Sequence, residues 1–463
     1  MDRGLTRREL GRIALGGAAL AGLGSAGVLA GCGSGGAGPD ESAKAVLDRL
    51  PKTGVPKPVD FIRTNWSKDP LAYCSYSYLP PNPLGSGIRR LLAEPAGRVA
   101  FAGEATGDIP ATVHGAAQSG RDAGLFAADE LRSGSRVAIV GAGAAGLACA
   151  GALLENGMEP FILEASDRVG GRVRSGELTG SPVELGASWI HGVDGNPLTE
   201  LAGEAGIDLH PFAYELDFPV PGQGALGRAG ERRFRRAINS FEPYASGANQ
   251  QTVDWLLPWQ WGPGLEWAVQ TEVQQEYGGD PGQVAALATW EGEWFPGGDA
   301  LLDGAYVDVI SGLSGDAEIR FGAKVRRIDQ DSNSVRLVWD GGEAEADAVV
   351  VTVPIGVLKA GVIEFRPALP ARTLAAIEGL GAGLLDKLWL AFEEPFWDED
   401  AEGFSWINPR LPGRWGSWVN AVPVTGKPFL MTLSGGSDAR RLSGWSDLDL
   451  IADAMGALDA MFG

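Results

Sequence analysis

Little in this chain is equipped to hold a metal or a disulfide framework. Its 463 residues include three cysteines (Cys32, Cys74, Cys149) and three histidines, and no Cys/His group has zinc-site spacing. Positive charge is also scarce. Thirty-eight Lys and Arg against 59 Asp and Glu leave a formal net charge of −21, which argues against a nucleic-acid partner, since that needs a basic surface. The acidic balance keeps a protein soluble and also favours cationic substrates. No solenoid-like period is present, nor any polar repetitive stretch of the disordered kind. A membrane-spanning run is missing too: the best candidate, residues 13–30, carries five glycines and many alanines, short of the Leu, Ile and Phe content of a spanning helix. What the chain has in quantity is glycine (69) and tryptophan (15), in a length that suits two or three domains.

The weak apolar run reads better as an address. TRRELGR (residues 6–12) puts adjacent arginines before it and small residues follow it, the pattern of a signal peptide. The arginine pair favours the twin-arginine export route, which carries folded and often cofactor-loaded proteins. Leu29-Ala30-Gly31-Cys32 resembles a bacterial lipobox, in which Cys32 is lipidated and anchors a cell-envelope lipoprotein. The other reading is a soluble secreted protein cut near the same place. GSGGAG (33–38) then makes a flexible tether.

Mid-chain, RVAIV (136–140) is a short apolar strand, followed at once by Gly141-Ala-Gly143-Ala-Ala-Gly146, a helical stretch to Gly157, and a second strand closing on Glu164. Each part has a job in gripping a dinucleotide: a tight turn, close backbone approach to a pyrophosphate, and close packing of helix on strand. The helix N-terminus offers N–H groups to the phosphates, and Glu164 accepts the ribose hydroxyls while repelling a 2′-phosphate. Gly170, Gly171, Arg172 and Arg174 follow, suited to pass under the pyrophosphate with guanidinium contacts.

That doublet resembles the one found in flavin-dependent amine oxidases, and further segments extend the resemblance. ELGASWIHG (184–192) with Asn196-Pro197-Leu198 is similar to the flavin-proximal loop of polyamine oxidases and histone lysine demethylases. VTVPIGVLK (351–359), LLDKLWLAF (384–392), NWSKDP (65–70) with SYSY (75–78), and FAGEAT (101–106) with ATVHG (111–115) resemble other motifs of the same superfamily. The chain is thereby identified as a member of the flavin-containing amine oxidase family over residues 55–463. The FAGEAT segment closes a chain of that family, yet here it precedes the dinucleotide fingerprint. The order therefore looks circularly permuted, equivalent to 136–463 followed by about 41–131, unless a gene-model misjoin produced it. Residues 43–50 echo the C-terminal helix, Ala43, Leu47 and Asp48 matching Ala454, Leu458 and Asp459. Loss from a tandem duplication would leave such an echo, and so would chance.

The resemblance implies an α/β fold: an FAD-binding Rossmann-type domain of the GR2 kind with a mixed-sheet α+β substrate domain. After the 1–32 leader come a tether and residual helix (33–54), the displaced flavin-binding segment (55–131), the Rossmann segment (136–195), part of the substrate domain (196–310), the return of the FAD domain (311–365) and the rest of the substrate domain (366–463). It also implies roles. Gly141, Gly143, Gly146, Glu164, Gly171 and Arg172 hold the ADP half of non-covalent FAD. Val325 meets the adenine. Gly186, Ala187, Ser188 and Trp189 approach the flavin. Gly103 and Glu104 reach the ribityl chain, and Thr112 and Val113 present a helix N-terminus (the helix spanning 112–131) to the pyrimidine, where a positive end stabilises reduced flavin. Lys387 reaches a water beside flavin N5; by alternation alone it is a strand lysine with a solvated tip.

Trp66, Tyr76, Tyr78 and Trp189 are candidates for the substrate path, as is His191, which serves equally as a structural loop histidine. Ile109 stands where the family often places an aromatic ring, and Cys74 where it usually has Gly. The implied reaction is hydride loss from an amine α-carbon to flavin N5, imine hydrolysis to an aldehyde, and reoxidation by O2 with release of H2O2. The substrate is a polyamine or monoamine. The alternatives are an L-amino-acid oxidase, which needs a cationic anchor for the carboxylate, and a non-catalytic FAD-binding lipoprotein.

Overall fold

The computed structural model describes residues 42–292 and 295–463. The leader, the lipobox cysteine Cys32 and the glycine-rich tether lie outside the described residues.

A five-stranded parallel sheet forms one half of the molecule, in the order Glu318–Arg320, Glu159–Leu163, Arg136–Val140, Ala348–Val351, Val99–Phe101. Its inner strands are short apolar runs buried on both faces, with Val137, Ala138, Ile139, Ile162 and Val349 wholly inaccessible, as a sheet covered by helices on both sides requires. Helix Ala144–Glu155 crosses from the Arg136 strand to the Glu159 strand. The edge strand Val99–Phe101 pairs with Ala348–Val351 and leads into helix Val113–Glu130. These two helices lie against each other through small residues. A Cβ on Gly120 would stand 1.9 Å from the Ala145 carbonyl oxygen, and one on Gly124 2.8 Å from that of Cys149. Residues 131–135 then carry the chain directly to the Arg136 strand.

The second half is built on a five-stranded antiparallel sheet ordered Asp60–Arg63, Leu385–Ala391, Phe429–Gly435, Ser417–Asn420, Gly403–Ser405. Helix Asp447–Phe462 contributes Leu450, Ile451, Ala454 and Leu458 to the core it shares with Leu388, Leu390 and Trp418 of that sheet. Its N-cap Ser446 accepts from the Asp449 N–H, and Asp447 and Asp449 sit in its first turn, where the dipole favours acids. The short helix Ala43–Asp48 joins the same cluster through Val46 and Leu47. Asp459 accepts a hydrogen bond from the Gly54 N–H. Two smaller sheets, Trp189–Ile190/Asp299–Asp303/Asp208–Phe212 and Gly342–Ala346/Val335–Trp339/Val325–Gln330/Glu364–Arg366, complete the walls of the cavity described next. Among the described residues no helix is long and apolar enough to cross a membrane.

Candidate active site

A single elongated cavity of about 330 Å³ runs from the glycine-rich turn into the antiparallel half. Near the turn it is lined by Gly141, Gly143, Ala144, Glu164, Ser166, Arg168, Gly171 and Val325. Gly141 has φ +109°, a conformation that favours glycine. Gly146 does not face the cavity; it lets the helix sit on the turn, since a Cβ there would be 1.9 Å from the Gly141 carbonyl oxygen. Gly143 caps the Ala144–Glu155 helix with no side-chain hydrogen bond, leaving the first amides open to a ligand. Glu164 is buried and accepts from the Ala142 N–H (2.7 Å) on one oxygen and from the Ser166 N–H and Oγ on the other. The first oxygen retains a lone pair.

A polar chain crosses the middle of the cavity. Arg172 donates to Glu104 (3.0 Å) and to the Ser75 carbonyl. Glu104 also accepts from the Ser77 N–H, from Ser77 Oγ (2.7 Å) and from the Ala111 N–H. Ser77 Oγ in turn accepts from Arg89 (2.7 Å), and Arg89 makes a two-pronged ion pair with Glu291 at 2.9 and 3.1 Å. Burial alone would raise the Glu104 carboxyl, but Arg172, Ser77 and Arg89 outweigh it and hold Glu104 below the usual carboxylate range. Next to it, Thr112 caps the Val113–Glu130 helix by accepting from the Gly115 N–H, and both Thr112 and Val113 line the cavity. Gly186 passes so close to Arg172 that a Cβ would lie 1.7 Å from its carbonyl oxygen.

Lys387 is not a solvated strand lysine. It is 4 % exposed, and its Nζ donates to the Glu184 carbonyl (3.1 Å), the Gly186 carbonyl (2.5 Å) and Ser188 Oγ. Burial pushes it down to about 7, with the Glu184 charge opposing. Glu184 is itself pushed up by burial, and one of its oxygens has no hydrogen-bond partner. The Lys387 ammonium lies 5.6 Å from the ring of Trp189, which stacks on Tyr214 at 6.3 Å. His191 Nδ1 meets Asp299 at 2.7 Å, and Asp299 also accepts from Tyr214 OH (2.7 Å) and the Gly192 N–H (3.0 Å). Burial opposes ionisation of Asp299, yet His191 and these donors together hold its carboxyl below the usual range.

Trp66, Tyr76, Trp189 and His191 all line the cavity, with Gly103, Glu104, Gly186, Ala187 and Ser188. Ile109 and Tyr78 do not. The Ile109 carbonyl accepts from Thr112 Oγ1 (3.0 Å). Sequence reasoning missed Asp299, Tyr214, Gln275 and Glu276, which also line the cavity apart from the buried Asp299 behind His191. An acid, Glu276, closing a half-buried helical run (TEVQQE, 271–276) was the available signal.

The flavin containing amine oxidoreductase family profile matches residues 27–124, 144–254 and 264–463. Polyamine oxidase 4 of Oryza sativa subsp. japonica is 29% identical over 356 residues, covering 70% of this chain and 72% of the relative. A probable polyamine oxidase 4 of Arabidopsis thaliana is 31% identical, covering 67% and 68%. A lysine-specific histone demethylase 1 homolog of Arabidopsis thaliana is 29% identical over 70% of this chain and 42% of its own length. The fold matches a putrescine oxidase solved with putrescine, with a TM-score of 0.54 and 20% identity over 71% of this chain and 82% of that one. The chain belongs to the flavin containing amine oxidoreductase family. It is an amine oxidase, and its cofactor is a flavin, in this family typically non-covalent FAD.

The cavity fits that group. Two helix N-termini open on it, Gly141 and Gly186 stand where side chains would collide, and Glu164 and Arg172 supply an acceptor and a cation. Cys74 and Cys149 are buried and neither lines the cavity, so neither is placed for a covalent link. Burial pushes the Cys149 thiol up to about 12.

Proposed function

We propose that the protein oxidises a small cationic amine, a polyamine or monoamine, to an aldehyde, with O2 as acceptor and H2O2 as product. The observation that carries this reading is the wall chemistry beyond Lys387. Phe212, Tyr214, Trp189, Leu433, Gln275 and Glu276 surround that end, giving aromatic faces and one carboxylate for an ammonium. Lys387 is the cation in this group of described residues, and its three N–H donors are engaged by Glu184, Gly186 and Ser188. A substrate carboxylate finds no anchor there, which disfavours an L-amino-acid oxidase.

FAD, when bound, supplies the acceptor for the electron pair of the amine Cα–H bond. The residues do the rest. Gly143 and Arg172 would take the pyrophosphate, Glu164 the ribose and Val325 the adenine. Glu104 would hold the ribityl hydroxyls, and the amides at the Thr112–Val113 helix end would hold the pyrimidine. Trp189 and Tyr214 exclude water from the amine, which favours its neutral form. Lys387, on the cavity wall, holds a proton near neutrality on an Nζ bound by Glu184, Gly186 and Ser188.

We also infer that the order of segments is a permutation, supported by the Val99–Phe101 strand filling the sheet edge beside Ala348–Val351, and that the leader exports the enzyme by the twin-arginine route to the cell envelope. Anaerobic mixing of the yellow protein with spermidine, monoamines and L-amino acids tests the activity. Bleaching by amines alone supports it; bleaching by amino acids alone, or by nothing, overturns it. A chain rebuilt as 136–463 followed by 41–131 tests the order, and it should bind FAD equally well.

A further inference from the structure

The charge of this acidic chain is strongly uneven. Helix Gln223–Asn239 carries Arg228, Arg232, Arg233, Arg235 and Arg236 against one acid, Glu231. Gly227, Gly230, Phe234 and Ile238 form its buried stripe, and Gly230 sits so close to helix Pro263–Val269 that a Cβ would be 1.9 Å from the Gly264 carbonyl oxygen. Arg228, Arg232 and Arg236 follow one another at four-residue spacing on the opposite, exposed face. These three and the exposed Arg233 have no carboxylate partner among the described residues, although acids outnumber bases in the whole chain. A helix that turns free arginines outward in such a chain is matched to an anionic surface.

The same lobe exposes large aromatics. Trp259 is 99 % exposed, Trp255 67 % and Tyr244 97 %, with Leu226 at 51 % on the helix itself. Trp255 lies on helix Val253–Leu256, whose Val253 shares a core cluster with Phe234, Ile238 and Leu265, so that helix and the arginine helix belong to one packed unit, and Trp259 follows three residues after the Val253–Leu256 helix. An arginine stripe and exposed tryptophans on one packed unit suit a bilayer interface: guanidinium groups meet the anionic headgroups and indoles settle at their level. The net charge of −21 does not prevent this, because charges more than about 10 Å away are screened at ~0.1 M salt.

We propose that the lobe of helix Gln223–Asn239 and Trp255/Trp259 docks the enzyme on an anionic lipid bilayer. The same lobe leads into the cavity through Thr271, Gln275 and Glu276, so docking brings the substrate end near the membrane. The inference stands on these surface residues and is independent of the substrate.

The test uses the full-length FAD-loaded enzyme with Cys32→Ser, which removes any lipid anchor. Binding is measured to vesicles of phosphatidylglycerol and phosphatidylcholine, and to phosphatidylcholine alone. The enzyme is expected to sediment with the anionic vesicles, to leave them at high salt, and to show a blue-shifted tryptophan emission when bound. Arg228→Glu/Arg232→Glu/Arg236→Glu is expected to weaken binding by about 100-fold, at roughly fivefold per arginine. Trp255→Ser/Trp259→Ser is expected to abolish the blue shift and weaken binding. Unchanged flavin absorbance shows that the variants are folded. No binding to anionic vesicles, equal binding to neutral ones, binding that survives the arginine reversals, or capture by a DNA column in place of vesicles would each overturn the proposal.

Discussion

Removing Arg89 alone is expected to cost far more than removing Arg89 together with Glu291. The pair is sealed inside the protein, with side chains 3% and 7% exposed. Arg89→Met leaves a buried carboxylate with no counter-charge, and breaking a buried pair from one side costs about 3–5 kcal/mol. Ser77 also loses the donor that fixes its hydroxyl toward Glu104. For a cooperative unit of this size, an entropy near 2.1 cal/mol/K per residue turns that loss into roughly 3–6 °C in Tm. Arg89→Met/Glu291→Met removes both charges and fills similar volume, so its cost should be about 2 kcal/mol or less, set by the stranded Ser77. Thermal melts of the FAD-loaded single and double variants measure the coupling. FAD fluorescence reports affinity separately: Arg89→Met should loosen FAD through Ser77 and Glu104, and Arg89→Lys should restore part of it. Costs that simply add, or a double variant worse than either single one, would refute the claim that the two charges act as a unit.

Other outcomes can be checked alongside. Gly186→Ala should abolish FAD binding, because its Cβ meets the Arg172 carbonyl at 1.7 Å; a yellow purified variant would contradict this. Lys387 has its folded-state pKa lowered to about 7, so the unfolded chain binds the extra proton above that pH. Its contribution to stability therefore rises by up to ~1.4 kcal/mol per unit from pH 7 towards the ordinary lysine value, and Lys387→Met should remove that rise from Tm-against-pH curves. Asp299→Asn cannot accept from His191, Tyr214 and Gly192 at once; it should raise KM for the amine more than it lowers kcat, and an unchanged KM would assign the trio to folding alone. Glu276→Gln should raise KM at least tenfold for a diamine and less for a monoamine.

Where the sequence was legible, local chemistry spoke for itself. The turn at Gly141, Gly143 and Gly146 needs glycine for reasons internal to ten residues, and the strand Arg136–Val140 reads from its own apolar run. Thr112 came as a helix start from the family resemblance, and its hydroxyl accepting from the Gly115 N–H caps that helix. Lys387 was not legible as a buried group: alternation along Leu385–Ala391 accounts for a polar residue there, and its acceptors come from a loop about 200 residues away. Arg89 and Glu291 are likewise 202 residues apart, with nothing in either neighbourhood to announce the other. Tyr214 and Glu276 were not legible either, because their place on the cavity wall is set by elements far apart in the chain.

The antiparallel sheet has a temporal consequence. Its edge strand Asp60–Arg63 is made long before its partner Leu385–Ala391, and the adjoining Thr64–Asp386 bond spans 322 residues. At about 5–20 residues per second on the ribosome, that strand waits roughly 16–64 s for its partner. The flavin-side helix Val113–Glu130 meets its neighbour Ala144–Glu155 within a few seconds on the same scale. The parallel half can thus begin to assemble while the antiparallel half is still an open edge, and a chaperone that shields residues 55–64 during this interval would raise the yield of folded enzyme.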